Sequence, residues 1–261
     1  MIGIFDSGVG GLTVVSALRQ RLSDYDLIYF GDTARAPYGS KSAATVLQNV
    51  VGRLEILRDC GARIIIIACH TAASVAYEHI RRRLDIPIFE VISPAVRFAL
   101  QITLNGRLGI IGTRTTVAGG LYARKIGEMN PAVKVFSVAC PLLVSLAEEG
   151  WLKQPLTAML IKKYLHSLKV KQIDTLILGC NYFPLFKRTI QAKIGRRVQV
   201  VDPALPLVDS LVQYLQDNAA IRGQLTRNQR LRLMVSDRTD QVEKSVQMIL
   251  RQKIPLERIA D

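Results

Sequence analysis

The sequence predicts an α/β protein: two pseudo-symmetric α/β domains with mostly parallel sheets and a functional cleft between them. Three observations carry that prediction. Short apolar runs alternate with amphipathic stretches along the 261 residues, the pattern of parallel strands covered by helices on both faces. Part of the pattern occurs twice: IGIFDS, from Ile2, has a counterpart in LGIIGT, from Leu108, an offset of 108 − 2 = 106 residues. A second pair, RIIIIACHTAAS and DTLILGCNYFPL, places Cys69 and Cys180 at matching points, 180 − 69 = 111 residues apart. Offsets this similar point to an internal repeat of βα units. Each cysteine then sits at the carboxyl end of a buried strand, where open α/β folds hold their ligands.

Taken in order, the apolar residues 2–5 form a short strand, the glycine-rich turn DSGVGG follows, and an amphipathic helix covers 12–22. DLIYFGD is the second strand. After the loop TARAPYGSKS, a helix over 42–60 is closed by Gly61, the residue type that most readily ends a helix. The strand leading to Cys69, a helix over 72–84 and the strand IPIFEVI complete the first half. Residues 94–99 cross into the second, whose strands are LGIIGT, VKVFSVA, TLILGC and RVQVVDP and whose helices span 117–129, 155–168 and 186–194. Beyond Asp202 and Pro203 come a helix over 205–218, a strand over 230–236 and a last helix over 241–250. The expected organisation is a first domain of residues 1–94 and 208–261, carrying Asp6 and Cys69, interrupted by a second of residues 95–207, carrying Glu148 and Cys180.

Composition narrows the function classes. No run of 18 apolar residues is available to span a membrane, and the start MIGIFDSG lacks the basic and long apolar regions of a secretory signal. The four cysteines show no CxxC spacing, which argues against a zinc knuckle or a disulfide framework and for reduced thiols in the cytoplasm. A net charge of 35 − 21 = +14 favours anionic partners. It is diffuse: Arg81, Arg82 and Arg83 form a run that suits a solvated helix face, and the basic tail around Arg227, Arg230 and Arg232 also holds Asp237, Asp240 and Glu243. With no RNP-like or zinc-finger motif present, specific nucleic-acid binding is not expected.

The candidate site residues cluster at strand ends. DSGVGG is neither GxGxxG nor a Walker loop, which weakens a nucleotide reading. Its glycines allow close backbone approach to a ligand, and Asp6 and Ser7 are placed to meet one, a role compatible with capping the next helix. Pro37, Tyr38 and Gly39 lie in the loop beyond the second strand, where free N–H groups and hydroxyls suit a carboxylate. In ACPLLVSLAEEG, Cys140 reads as a small core residue, while Glu148 and Glu149 are solvated unless the cleft captures them.

FDSGVGGLTV, YFGDTARAPYGSKS, the cysteine and threonine of ACHTA, ACPLLVSLAEEG and LGCNYFPL, in this order over almost the whole chain, resemble the glutamate racemases. The resemblance implies two α/β domains with the active site between them, glutamate as the small-molecule partner, and D-glutamate for peptidoglycan as the product. It implies no metal and no PLP or other cofactor; a homodimer is compatible with it. A cysteine from each half would act on opposite faces of the substrate α-carbon, a thiolate removing the proton and a thiol returning one. Each thiolate must be reachable near neutral pH, which positive neighbours and oriented hydrogen bonds promote. By the same resemblance Asp6 serves Cys69, Glu148 assists Cys180, and Ser7, Tyr38, Gly39 and Thr71 grip the substrate.

Three substrate-edge positions depart from that family. His70 stands where an asparagine is usual, and the second motif reads Cys180-Asn181-Tyr182-Phe183-Pro184 in place of cysteine-threonine-histidine-tyrosine-proline. Tyr182, with an ordinary pKa near 10, is a poor substitute for an imidazole in proton transfer at neutral pH, and His70 is the candidate replacement. Two other readings follow from these changes: a racemase of a related acidic amino acid, or a weakly catalytic protein of racemase fold whose basic surface binds an anionic macromolecule. Retention of Cys69, Cys180, Asp6 and Glu148 favours an enzyme.

Overall fold

In the computed structural model, which describes residues 1–259, the apolar runs form two parallel sheets. The chain begins β1 (Ile2–Asp6), α1 (Leu12–Arg21), β2 (Leu27–Gly31), α2 (Ala43–Asp59), β3 (Ile64–Ile67), α3 (His70–Ile80) and β4 (Ile88–Glu90). Helix α4 (Ile92–Ile102) leads to β5 (Arg107–Gly112), α5 (Arg114–Ala118), α6 (Leu121–Met129), β6 (Lys134–Ala139), α7 (Leu142–Glu148) and α8 (Pro155–Val170). Then come β7 (Thr175–Gly179), α9 (Lys187–Ile194) and β8 (Gln199–Val201), followed by α10 (Ala204–Asp217), α11 (Ala219–Gly223), β9 (Leu231–Val235), α12 (Asp240–Leu250) and β10 (Leu256–Arg258).

The first sheet has the order β10-β9-β2-β1-β3-β4 and the second β6-β5-β7-β8. The order β2-β1-β3-β4 thus reappears as β6-β5-β7-β8, so the repeated sequence is also a repeated topology. Its central strands β1, β3 and β7 are buried from end to end, which is why they read as unbroken apolar runs and not as alternating ones. After α10, which packs against both α1 and α4, β9 and β10 extend the first sheet beyond β2. Residues 260–261 of the 208–261 segment lie outside the described residues. No helix among the described residues is long and apolar enough to cross a membrane.

Several elements differ from expectation for local reasons. The crossing at 94–99 lies inside α4, whose first turn is held by the Glu90 carboxylate accepting from the N–H groups of Ile92 and Ser93; Pro94 sits in that turn, where its missing N–H is no loss. The helix expected over 117–129 is two, because Gly120 adopts a left-handed φ of +62° and starts α6 anew. Helix α3 begins at His70, before the expected residue 72, since the Cys69 sulfur caps it by accepting from Ala72 N at 3.5 Å.

The C-terminal segment is latched to the first sheet by Asp26, just before β2. Its carboxylate accepts from Asn228 N at 3.0 Å, Asn228 Nδ2 at 2.9 Å and Arg230 N at 2.9 Å, just before β9. Burial pushes this carboxyl up, but the hydrogen bonds from Thr226, Arg230 and Asn228 outweigh it and hold the pKa at about 2. A depressed folded pKa stabilises the fold above the unfolded value, and that contribution is lost as pH falls through the folded one. Asp26→Ala is expected to lower the unfolding free energy by about 1.5–3 kcal/mol at neutral pH in urea titrations. The gap from wild type should narrow as pH falls from about 4 toward 2; a gap independent of pH would show that the charge contributes nothing.

Candidate active site

The first wall is built by the turn after β1. Asp6 ends the strand, and its Oδ2 accepts from Gly11 N at 3.0 Å and Gly8 N at 3.2 Å, curling DSGVGG around the carboxylate. Helix α1 has no side-chain cap, so Asp6 organises the loop itself. The curl is tight. A Cβ on Gly31 of β2 would stand 2.2 Å from Gly8 O, and one on Gly11 2.7 Å from Asp6 Cβ. Tyr29 secures the same loop by donating to Gly8 O at 2.7 Å.

One cavity of about 220 Å³ receives the carboxyl ends of both sheets. Asp6, Ser7, Tyr38 and Gly39 line it from the loops after β1 and β2; Cys69, His70 and Thr71 from the end of β3; Glu148 from the end of α7; and Cys180, Asn181 and Tyr182 from the end of β7. Every site residue singled out in the sequence therefore borders the same space. Cys140 is fully buried in the core and Cys60 half-buried after α2. Among the described residues no group of three His, Cys, Asp or Glu side chains is placed to hold a metal ion.

The polar groups are engaged in specific ways. Ser7 Oγ lies 3.3 Å from Cys69 Sγ, a hydrogen bond to the first thiol. Thr71 Oγ1 forms a hydroxyl triangle with Thr113 at 3.0 Å and Thr116 at 3.1 Å, joining α3 to the start of α5. Gly39 fits against Thr113, where a Cβ would come within 2.6 Å. The Tyr38 hydroxyl is turned away from this role, donating to the buried Asp32 carboxylate at 2.5 Å. Tyr38 thus borders the cavity through its other atoms. Tyr182 donates to Glu148 Oε1 at 3.3 Å. The Asn181 amide donates both hydrogens to protein acceptors, Asp6 Oδ1 at 2.9 Å and Ala68 O at 2.7 Å.

Burial dominates the electrostatics. It raises the Cys69 thiol to about 11, with the Asp6 charge adding and the Ser7 hydrogen bond opposing. Cys180 is pushed up further, by burial and then by the charges of Cys69, Asp6 and Glu148 against the Tyr182 N–H. The same desolvation raises Asp6 and Glu148. The positive neighbours expected to favour the thiolates reduce, among the described residues of the wall, to Arg114 at the start of α5. Arg114 and Thr113 escaped the sequence reading, although the repeat pointed to Thr113: 7 + 106 = 113 makes it the counterpart of Ser7.

Two parallel sheets of duplicated topology, each delivering a strand-end thiol to one shared cavity, define a two-thiol α/β protein. The chain belongs to the Asp/Glu/Hydantoin racemase family, whose sequence model matches residues 12–211. It is 41% identical to the glutamate racemase of Aquifex pyrophilus over 98% of this chain and 96% of that protein. Among solved structures, a glutamate racemase isoform from Bacillus anthracis superposes with a TM-score of 0.93 at 31% identity, covering 99% of this chain and 97% of the other. The glutamate racemase of Francisella tularensis, solved in complex with D-glutamate, gives 0.91 at 36% identity, with 99% and 97% covered.

His70 is buried, with Nδ1 2.8 Å from the Tyr122 hydroxyl. Burial lowers its pKa to about 3, only partly offset by a hydrogen bond with Asn181. The ring is neutral at physiological pH. As pH falls below about 6.5, the unfolded chain binds a proton that the folded ring refuses, so this residue subtracts stability on acidification. In NMR titrations the His70 ring resonances are expected to stay constant from about pH 8 to about pH 5; a midpoint within that window would contradict the burial argument.

Proposed function

We propose that the protein is an amino-acid racemase, an isomerase that interconverts L- and D-glutamate with Cys69 and Cys180 as paired base and acid. The observation that supports this most is the pair of thiols, one from each sheet, on the wall of one cavity. In one direction a thiolate takes the α-proton, so that the C–H bond breaks and an S–H bond forms. The opposing thiol then gives its proton to the other face and becomes the thiolate. Reversal exchanges the two roles, so the pair supplies both proton carriers.

Asp6 lies beside Cys69 and Glu148 acts on the Cys180 side through Tyr182. Ser7, Gly39, Thr71, His70 and Tyr182 face the substrate, with Tyr38 shaping the loop. The D-glutamate formed serves peptidoglycan synthesis. A cytoplasmic setting accords with four free thiols, and a homodimer with the exposed apolar side chains of Trp151, Leu156 and Met159 around the start of α8.

Cys69→Ala and Cys180→Ala are each expected to abolish racemisation, because neither thiol reaches the face served by the other. Incubation of L- and D-glutamate, and of both aspartate enantiomers, in deuterated water with NMR detection measures this. Wild-type racemisation by either variant would refute the two-thiol assignment, and faster turnover of aspartate would move the substrate to a different acidic amino acid.

Tyr182 accounts for a second expectation. Its phenol is pushed well above 10, first by burial and then by the Glu148 and Asp6 charges, so it holds its proton at neutral pH. Tyr182→His puts an exchangeable group beside Cys180 and Glu148 and is expected to raise kcat by roughly 10²–10⁴-fold, the range for a positioned acid–base group. Initial-rate kinetics in both directions provide the check. A variant no faster than wild type would show that Tyr182 does not limit turnover.

A further inference from the structure

The residue beside one thiol is tied to the residues beside the other. Asn181 directly follows Cys180 at the end of β7, yet its Nδ2 hydrogens both cross to the first sheet. One goes to Asp6 Oδ1 at the end of β1, at 2.9 Å. The other goes to the backbone oxygen of Ala68, the residue immediately before Cys69, at 2.7 Å. The backbone carbonyl of Asn181 in turn accepts the Thr13 hydroxyl of α1 at 3.3 Å. Gly10 completes the contact: a Cβ there would stand 3.2 Å from Asn181 Cβ and 3.3 Å from the Tyr182 ring. Asn181 is only 6% exposed, so water does not compete for these bonds, and a partner left without one incurs its full desolvation penalty.

We propose that Asn181 is a positioning residue that sets the separation of the two thiols across the cavity. This rests on the two-thiol reading above and assigns to it the device that holds the thiols in register. The amide acts as a fork, one prong on the carboxylate beside Cys69 and the other on the backbone from which Cys69 springs. Its base is the peptide next to Cys180. Proton removal from glutamate needs one thiol at the α-carbon; inversion needs both at once, on opposite faces. A misplacement of about 1 Å between reacting groups reduces rates on the order of 10²-fold, so a tether between the two strand ends governs inversion more strongly than proton removal.

The distinguishing measurement follows two rates from the same L-glutamate sample in deuterated water. One is deuterium uptake into remaining L-glutamate, read by NMR; the other is formation of D-glutamate, read by circular dichroism. Asn181→Leu, similar in size without the donors, is expected to lower inversion roughly 10²-fold while raising the ratio of exchange to inversion at least about tenfold. Asn181→Thr keeps one donor and is expected to fall between Asn181→Leu and wild type; it decides the matter if the leucine variant does not fold, as monitored by thermal unfolding. A substitution that merely reduced the folded fraction would lower both rates in proportion. Proportional loss, or a wild-type ratio in the folded variants, would overturn the positioning role. The cysteine variants judge the two-thiol reading separately: if they lose racemisation while the Asn181 ratio stays unchanged, only the tether is wrong.

Discussion

Asp6 places a carboxylate where almost no water reaches it, at the carboxyl end of a central strand. Such a group is tolerated only when its oxygens are well supplied with donors. Here the donors are backbone N–H groups of Gly8 and Gly11 on one oxygen and the Asn181 amide on the other. Meeting that requirement dictates much of the site. The turn after β1 must carry glycine at Gly11 and β2 must end in glycine at Gly31, because a side chain at either would collide with Asp6 or with the loop it organises. The second sheet must approach closely enough for Asn181 to reach across. The same carboxylate adds its charge to the field at both cysteines.

That field is unfavourable to thiolates. Two buried thiols, the buried Asp6 carboxyl and the half-buried Glu148 carboxyl share one small cavity, and desolvation raises all four pKa values. A zwitterionic amino acid brings an ammonium group into that space, and a nearby positive charge favours the ionised form of a thiol. Arg114, exposed at the start of α5, adds positive charge at the wall.

The duplicated topology is symmetric in its strands and asymmetric in its contacts. Cys69 caps α3 and meets the Ser7 hydroxyl, whereas Cys180 is followed by a short turn of 3-10 helix and stands beside the Tyr182–Glu148 pair. His70 and Asn181 occupy equivalent places after the two cysteines. One is anchored by Tyr122 on α6 of the second half and the other by Asp6 of the first. Each strand end is therefore held from the opposite half, an arrangement that joins the two sheets at the site itself.

The parallel α/β class, the order of the first nine strands and the repeat were legible in the sequence because buried parallel strands require unbroken apolar runs, and 2–5, 64–67 and 175–179 supply them; α4, α7, α11 and β10 were not. The loop residues around the cavity were legible for a related reason: in a parallel sheet every strand's carboxyl end lies on the same edge, so Asp6, Tyr38 and Cys69 share one edge of the first sheet and Cys180 lies on the matching edge of the second. Helix limits were less so, since the start of α3 depends on a cysteine sulfur acting as a cap and the division at Gly120 on a single backbone angle. What only the tertiary structure decided is where each polar group spends its hydrogen bonds. The Tyr38 hydroxyl points to Asp32, the His70 ring to Tyr122 and the Asn181 amide to Asp6 and Ala68, partners 6 to 175 residues away in the chain. Composition and periodicity report which faces are buried; they carry no information about which distant donor meets which acceptor, because that pairing is settled by the docking of two sheets and not by any local preference of the chain.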